Sequence, residues 1–413
     1  MSNKKNKTNN STLVIILSYF IANTLLPFLS FISSVYVQFI IVLIIFFYIF
    51  KSKFSSNILL FLFPFSLILF LELLSNLINQ NIIEELIVAI YKVSIFALPA
   101  YIAFYLFINN LRNEIKILMQ VSLGLLVFTS ITSIYGLFAE PGASRALSVG
   151  MLDERLVMYY NIRNIGGYGL VYMIPLIAPM LIGMLKKKKL NVFVFIIMIM
   201  ILSYYVYLSQ FTTALILLII SSLSFVIVNN YSFKKFAIYI FGFLIFASFL
   251  RPIIGDVLYM IADNNESKTV AVRLRATGDS IYGYGSDAAE LTERIARYEM
   301  SYNAFIKSPL FGVYLRNGEV GKHSFILDTF AMYGVFGILA IILLYRQIYR
   351  YLYEPFKSEK YYGYMIWSLL NSIILAFVNP SPSIFTICLV IPLIAYSLQE
   401  KRYAVVGGKG RLI

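Results

Sequence analysis

The chain has 413 residues, of which 60% are hydrophobic and only 13% are charged, and its mean hydropathy is +0.80. Soluble domains carry about 25% charged residues, so this composition excludes an ordinary soluble fold. The net charge of +14 does not indicate nucleic-acid binding, because many Lys and Arg residues fall in short segments between apolar runs. That placement is typical of cytoplasmic loops in membrane proteins.

Apolar runs of about 20 residues, the length needed to cross a bilayer, follow one another along the chain. They predict an all-α, polytopic integral membrane protein with about 12 transmembrane helices in a single transmembrane domain, residues 1–413. The basic residues of the short loops place both termini in the cytoplasm of a multi-pass protein. The predicted spans are 12–30, 33–50, 57–74, 85–108, 115–138, 167–185, 190–208, 211–228, 236–254, 324–345, 362–378 and 383–398.

Two long segments fall on the non-cytoplasmic side in this topology, at 139–166 and at 251–323. The second precedes the tenth span and is densely charged but nearly neutral. A helical pattern runs from Ala288 to Ile306 within it and stops at Ser308-Pro309, as a helix should before proline. We therefore expect a large extracytoplasmic loop that contains short helices.

His323 is the only histidine, and it lies where the large loop meets the tenth span. A histidine at a membrane–water boundary can act as a general base near neutral pH, or it can simply cap a helix. Asp328 follows about a turn and a half later within the span, where a carboxylate needs a partner. It could orient His323, bind a sugar hydroxyl, or form a structural hydrogen bond to a neighbouring helix.

Arginines are the second group of candidates, because planar guanidinium groups bind phosphate oxygens in pairs. Arg294 and Arg297 are three residues apart and would share one helix face, although each also has a glutamate four residues before it for an ordinary ion pair. Arg163 lies among tyrosines beside a glycine pair, which suits a glycolipid or an interfacial aromatic belt. Arg251 opens the large loop.

Further features narrow the class of protein. Glu72 and Lys92 fall inside predicted spans; a mutual pair is the simplest explanation, and it keeps a transporter open as an alternative. One His, one Cys (Cys388) and no Asp-x-Asp motif predict no metal site, and phosphate-loop and dinucleotide motifs are absent. We expect no cofactor.

The stretch Arg294-x3-Tyr298-x5-Ala304-x4-Pro309-Leu-Phe-Gly312, followed by His323-Ser-x2-Leu327-x6-Gly334-x2-Gly337, resembles the signature of the O-antigen polymerase and O-antigen ligase superfamily. Asn164-Ile-Gly-Gly167 is loosely similar to the family's motif at the sixth span. The resemblance covers about 45 residues in detail, and the whole chain in topology. One departure is Ser209-Gln-Phe-Thr-Thr213, where the family often has a Ser-Arg pair.

The resemblance implies a metal-independent glycosyltransferase of the cytoplasmic (inner) membrane. Its donor would be an oligosaccharide on undecaprenyl diphosphate, and its product O-antigen or capsular polysaccharide. His323 would be catalytic, and the substrate-binding residues would be Arg163, Arg251, Arg294, Arg297, Tyr298 and Asp328. Its partners would be the lipid bilayer, a chain-length regulator and a flippase, not nucleic acid. A polymerase is favoured over a ligase, and both are favoured over a lipid-linked glycan flippase or a non-catalytic scaffold.

Overall fold

The computed structural model describes residues 2–33, 35–50, 63–67, 70–71, 96–149, 154–228, 251–264, 271–272, 274–275, 278–279, 289–313, 319–381, 383–399, 403–404 and 411–412. Within these residues the fold is helical, apart from one two-residue antiparallel β pairing of β1 (Tyr403–Ala404) with β2 (Arg411–Leu412). The predicted all-α class is therefore confirmed for the described part of the chain. Glu72 and Lys92 lie outside it.

The described helices overlap most of the predicted apolar runs. They are α1 (Ser2–Leu25), α2 (Pro27–Ile32), α3 (Val35–Phe50), α4 (Phe96–Ile108), α5 (Arg112–Ala139), α6 (Ala143–Val149), α7 (Glu154–Ile162), α8 (Tyr168–Lys186), α9 (Val192–Leu208), α10 (Thr212–Ile227), α11 (Arg251–Asp263), α12 (Ala289–Lys307), α13 (Phe325–Ile348), α14 (Tyr362–Val378) and α15 (Ile391–Leu398). π-Helical turns at Tyr349–Tyr353 and Thr386–Val390 and a 3₁₀ turn at Glu354–Phe356 adjoin α13 and α15.

Three of the described helices are long and apolar enough to cross a membrane: Arg112–Ala139, Tyr168–Lys186, and Phe325–Phe356 with its terminal turns included. Most of the remaining apolar helices are shorter, so the number of twelve spans stays a prediction. The predicted spans 57–74 and 236–254 lie largely outside the described residues.

Two predicted spans are interrupted. The first, 12–30, contains a break at Leu26, whose backbone is extended (φ −106°, ψ 104°) because the following Pro27 disfavours a helical conformation there. The tenth, 324–345, contains Gly334 at φ +59° and ψ −138° inside α13. An apolar periodicity does not report such a break when the residues on both sides remain apolar.

The chain divides into two compact units. The first comprises Met1–Val226, Ile338–Ala376 and Ser381–Ile413, and the second comprises Ile227–Gly337 and Phe377–Pro380. In the first unit α8 is buried along almost its whole length. Long apolar side chains on α9, including Phe193 and Met200, are exposed instead, as expected of a helix that faces lipid.

Helix α8 contains two prolines, and a side chain from another helix of the first unit bonds to a backbone carbonyl that one of them leaves free. Pro179 lacks the N–H that would bond to the carbonyl of Pro175. Ser221 Oγ donates to that carbonyl at 2.5 Å, and Asn371 Nδ2 donates to Ser221 Oγ at 2.7 Å. Neighbouring helices satisfy freed backbone groups in this way inside membranes, where water cannot.

In the second unit a turn after α12 packs against the kink of α13. The N–H of Val313 donates to the carbonyl of Ala331 at 2.9 Å, and the N–H of Val335 donates to the carbonyl of Pro309 at 2.9 Å. A Cβ on Gly334 would meet the Pro309 and Leu310 backbone. The glycine is therefore required twice, for its positive φ and for the close approach.

Candidate active site

One face of α12 carries three polar residues that the sequence singled out, Arg294, Arg297 and Tyr298, and one that it did not, Ser301. Arg294, Arg297, Tyr298 and Ser301 are spaced i, i+3, i+4 and i+7, so they lie on the same side of the helix. The predicted helix, Ala288 to Ile306, is confirmed by the observed Ala289–Lys307. Helix α12 ends before Pro309 as expected, and Ala304 one turn further packs in a small apolar core with Val313 and Ala331.

Asp328 joins this face of α12 to the first turn of α13. Its side chain is only 5% exposed. Oδ1 accepts a hydrogen bond from Ser301 Oγ at 2.5 Å, and Oδ2 accepts from the N–H of Ser324 at 2.9 Å. A buried carboxylate near a helix N-terminus is favoured by the exposed N–H groups there. Both oxygens therefore form hydrogen bonds within the protein. This matches the structural role, which was one of the three alternatives that the sequence left for Asp328.

A tight loop at Gly321 and Lys322 leads into His323 and is bonded to Ser301. The N–H of Gly321 donates to Ser301 Oγ at 2.9 Å, and Gly321 lies so close to the carbonyl of Arg297 that a Cβ would collide with it. Lys322 follows with φ +56°, a conformation that costs a residue with a side chain about 1 kcal/mol or more. The strained loop gives the imidazole a defined position.

The hydrogen bond of His323 fixes its tautomer. Nδ1 lies 3.1 Å from the carbonyl oxygen of Lys322, and a carbonyl can only accept, so Nδ1 carries the proton. In the neutral ring Nε2 then presents a lone pair. Such an imidazole can take a proton from a hydroxyl.

The surroundings of His323 also keep the ring neutral. Burial lowers its pKa below the ordinary value of 6.5, and the positive charges of Arg297 and Arg294 lower it further; the Lys322 carbonyl and Asp328 act in the opposite direction. The net shift is downward. At neutral pH the imidazole is therefore available as a base.

The two arginines act on His323 electrostatically, and Arg297 also pairs with Glu293 four residues earlier on α12. Its side chain is 41% exposed and that of Glu293 is 58% exposed. Exposed ion pairs of this kind contribute little stability. An anionic ligand with two phosphates could therefore replace Glu293 as the partner of Arg297 at little cost.

Tyr298 fastens α12 to the segment after α14. Its hydroxyl donates to the carbonyl of Val378 at 2.9 Å. Burial raises the pKa of this hydroxyl, which Arg294 partly offsets and Asp328 reinforces. Tyr298 is thus a neutral residue whose proton is used within the protein, and its observed contact is a structural one.

Arg163 lies in the first unit, in a different local setting. It is exposed, and its guanidinium carbon lies 4.2 Å from the centroid of the Tyr159 ring. Stacking of this kind occupies the face of the guanidinium and not its N–H edge, so a phosphate ligand remains compatible with it. Arg251 begins α11, and its side chain lies outside the described part of the structure.

The residues after Arg163 are held by a group of hydroxyls, Thr132, Ser133, Ser144 and Tyr205, which we call the Asn164 clamp. Asn164 has φ +55° and is 8% exposed. Its Nδ2 donates to Thr132 Oγ1 at 2.9 Å.

Gly166 is held from three sides within the Asn164 clamp. Its N–H donates to Ser133 Oγ at 2.8 Å, and its carbonyl accepts from Ser144 Oγ at 2.6 Å and Tyr205 OH at 2.7 Å. A Cβ at this glycine would meet the Tyr205 hydroxyl and Leu170. The motif that precedes α8 is therefore explained by backbone satisfaction in a buried, non-helical segment.

Sequence reasoning missed Ser301, which is fully buried and bonds to both the His323 loop and Asp328. The i+4 spacing from Arg297 could have indicated it, because that spacing places it on the arginine face. It missed the Asn164 clamp as well, since Ser133 is 33 residues from Gly166 in the chain and no periodicity connects them.

No group of three or more His, Cys, Asp and Glu residues that could hold a metal ion occurs among the residues that the structure describes. No protein-family model matches the chain, and a search of curated proteins finds no significant match. The resemblance to the O-antigen polymerase and ligase superfamily therefore rests on the motif residues themselves.

Proposed function

We propose that the chain is a metal-independent glycosyltransferase that joins oligosaccharide repeat units linked to a polyprenyl diphosphate into a polysaccharide. The observation that carries this proposal is the position of the His323 imidazole, whose Nδ1 lies against the Lys322 carbonyl and whose pKa is lowered by burial and by the charges of Arg297 and Arg294. It stands immediately before an apolar helix long enough to cross a membrane. A base, a cationic site and the start of a span together suit a substrate that is both anionic and lipid-anchored.

The reaction is a single displacement at the anomeric carbon of the donor sugar. His323 Nε2 removes the proton from an acceptor hydroxyl as its oxygen bonds to that carbon. The bond from the same carbon to the diphosphate oxygen breaks, and polyprenyl diphosphate leaves with the bonding electron pair. The proton remains on the imidazole until water or the departing phosphate removes it, and the displacement inverts the anomeric configuration.

Arg294 and Arg297 stabilise the departing diphosphate. Negative charge grows on the bridging oxygen in the transition state, so preorganised cations there lower the barrier more than they improve substrate binding. Glu293 would release Arg297 when the diphosphate arrives, because their exposed pair is weak. Arg163 and Arg251 are further candidates for the arginine that is missing from the Ser209–Thr213 segment.

The site, in this proposal, faces the outer leaflet of the cytoplasmic membrane, and the chain crosses that membrane about twelve times with both termini inside. A ligase would use the same donor and the same base with lipid A–core as acceptor. We favour polymerization because the divergent, Tyr- and Phe-rich chain and the missing Ser-Arg pair fit a polymerase better. A flippase would need no base at His323.

The test is the glycan ladder of a strain in which the gene is deleted and then replaced by wild type, His323→Ala or Arg294→Ala. A polymerase predicts single-repeat glycan in the deletion strain, a ladder with wild type, and little or no ladder with either variant at equal membrane levels. Long chains stranded on the polyprenyl carrier in the deletion strain would identify a ligase. A full ladder with His323→Ala would refute the assignment of the base.

A further inference from the structure

The segment that follows α14 lies against the start of α13. Helix α14 ends at Val378 because Pro380 cannot continue it and restricts the preceding Asn379 to extended conformations. The carbonyl of Asn379 accepts the N–H of Phe325 at 2.9 Å, and the carbonyl of Val378 accepts the Tyr298 hydroxyl at 2.9 Å. Residues 377–380 belong to the same compact unit as His323. Asn379 is thus held by its backbone against a residue that lies only two positions after His323 in the chain.

The side chain of Asn379 is buried, and the described residues offer no partner to its amide nitrogen. Its exposed fraction is 5%, and its Nδ2 has no hydrogen-bond partner among the residues that the structure describes. Buried polar groups are nearly always paired, so an exception calls for an explanation. An amide nitrogen can only donate, and the missing partner must therefore offer an acceptor atom.

Asn371 shows how the same fold treats an asparagine with a purely structural role. It lies on α14 two turns before Asn379 and is 1% exposed. Its Nδ2 donates to Ser221 Oγ at 2.7 Å. Asn371 is therefore a matched control for Asn379, because it is a similarly buried asparagine of the helix that ends just before Asn379, and its amide is satisfied within the fold.

We infer that Asn379 is a substrate-binding residue of the His323 site, with Nδ2 donating a hydrogen bond to an oxygen of the bound glycan or of its diphosphate. This inference rests on the proposed function, which supplies a ligand rich in acceptor oxygens. The Nδ2 group can donate to either kind of acceptor, a sugar hydroxyl oxygen or a phosphate oxygen. Asn379 is a neutral group, so it adds orientation without changing the charge that Arg294 and Arg297 provide.

The experiment compares Asn379→Ala with the matched control Asn371→Ala in the full-length, purified protein. Asn379→Ala keeps the backbone carbonyl that binds Phe325 and removes an amide whose nitrogen has no partner among the described residues, so the unfolding temperature should equal or exceed that of wild type. Turnover of repeat units extracted from the deletion strain should fall about 10-fold, the effect of one lost hydrogen bond. Asn371→Ala should unfold at a lower temperature and keep its turnover per folded molecule.

Inhibition by undecaprenyl diphosphate distinguishes the two oxygen sources. Weaker inhibition of Asn379→Ala than of wild type assigns the bond to the diphosphate, and equal inhibition assigns it to a sugar hydroxyl. An unfolding temperature lowered as far as that of Asn371→Ala, or turnover equal to wild type, would overturn the inference.

His323→Ala separates this failure from failure of the proposed function. If His323→Ala is inactive while Asn379→Ala is fully active, only the role of Asn379 is lost. If His323→Ala retains full turnover, or wild type elongates nothing, the proposed function fails, and the inference that rests on it fails too.

Discussion

The Asn164 clamp and the His323 site are both places where the backbone leaves helical geometry beside an arginine, but they use their polar groups differently. In the Asn164 clamp the hydroxyls of Ser133, Ser144 and Tyr205 bond to the Gly166 backbone. At the His323 site the Nδ1 contact with the Lys322 carbonyl leaves the lone pair on Nε2, and Nδ2 of Asn379 has no hydrogen-bond partner among the described residues. Polar groups that form hydrogen bonds within the protein stabilise the fold, whereas polar groups that remain available can bind a ligand and react.

The largest effect is expected from His323→Ala. Removing the general base should lower turnover by about 10²–10⁴-fold. The unfolding temperature should stay near that of wild type, because the hydrogen bond of the half-buried ring is to the carbonyl of its own neighbour, Lys322. Turnover and thermal unfolding of the same purified sample would measure both. If turnover falls only in proportion to the amount of folded protein, His323 has a structural role like that of the residues in the Asn164 clamp.

Gly334→Ala should strongly destabilise the second unit. A residue with a side chain at φ +59° and ψ −138° is strained by about 1–3 kcal/mol, and its Cβ would also meet the backbone of Pro309. Gly124→Ala in α5 is the control, because no atom lies within 4 Å of its Cβ position and alanine is the better helix former. The unfolding temperature should fall for Gly334→Ala and stay the same or rise for Gly124→Ala. Equal changes in the two variants would refute the role of the kink.

Ser133→Ala should lower the free energy of unfolding by about 1–3 kcal/mol, because it leaves the buried N–H of Gly166 without its acceptor. Activity per folded molecule should be unchanged. Ser301→Ala should destabilise by a similar amount and also reduce turnover, since Ser301 Oγ holds Gly321 and Asp328 around His323. Equal losses of turnover per folded molecule in both variants would contradict the claim that the Asn164 clamp is structural and the His323 site functional.

The smallest effect is a shift in the pH dependence of the reaction. His323 must be neutral to act as a base, and its pKa is lowered by burial and by Arg297 and Arg294. Turnover should therefore be flat above neutral pH and fall only as the pH drops below 6.5. Arg297→Ala removes one of the lowering charges, so the acid limb of the pH–rate profile should move to higher pH, and a shift to lower pH would contradict the assignment.

Local patterns in the sequence were sufficient to predict the helices that end at strong signals. The fourteenth helix, Tyr362–Val378, coincides with the predicted span 362–378, and α12 stops before Pro309 as expected. The same patterns could not reveal the break at Gly334. That break depends on the Pro309 carbonyl, which reaches α13 from outside the helix.

The candidate site was only partly predictable for the same reason. His323, the arginine face and Asp328 could be selected from residue type and spacing, but the partners of Asp328 could not. Ser301 lies 27 residues away in the chain, and the contact of Asn379 with Phe325 joins still more distant segments. Long-range hydrogen bonds are set by tertiary packing, which the order of residues within one helix does not encode.

The most direct test measures polymer formed per folded molecule by His323→Ala and Ser133→Ala, with wild type beside them in the same lipid and at about pH 7.5, where the imidazole is neutral. The account predicts a loss of about 10²-fold or more for His323→Ala and near wild-type turnover for Ser133→Ala. Near wild-type turnover of His323→Ala, or a comparable loss in both, would contradict the claim that the chemistry belongs to the His323 site.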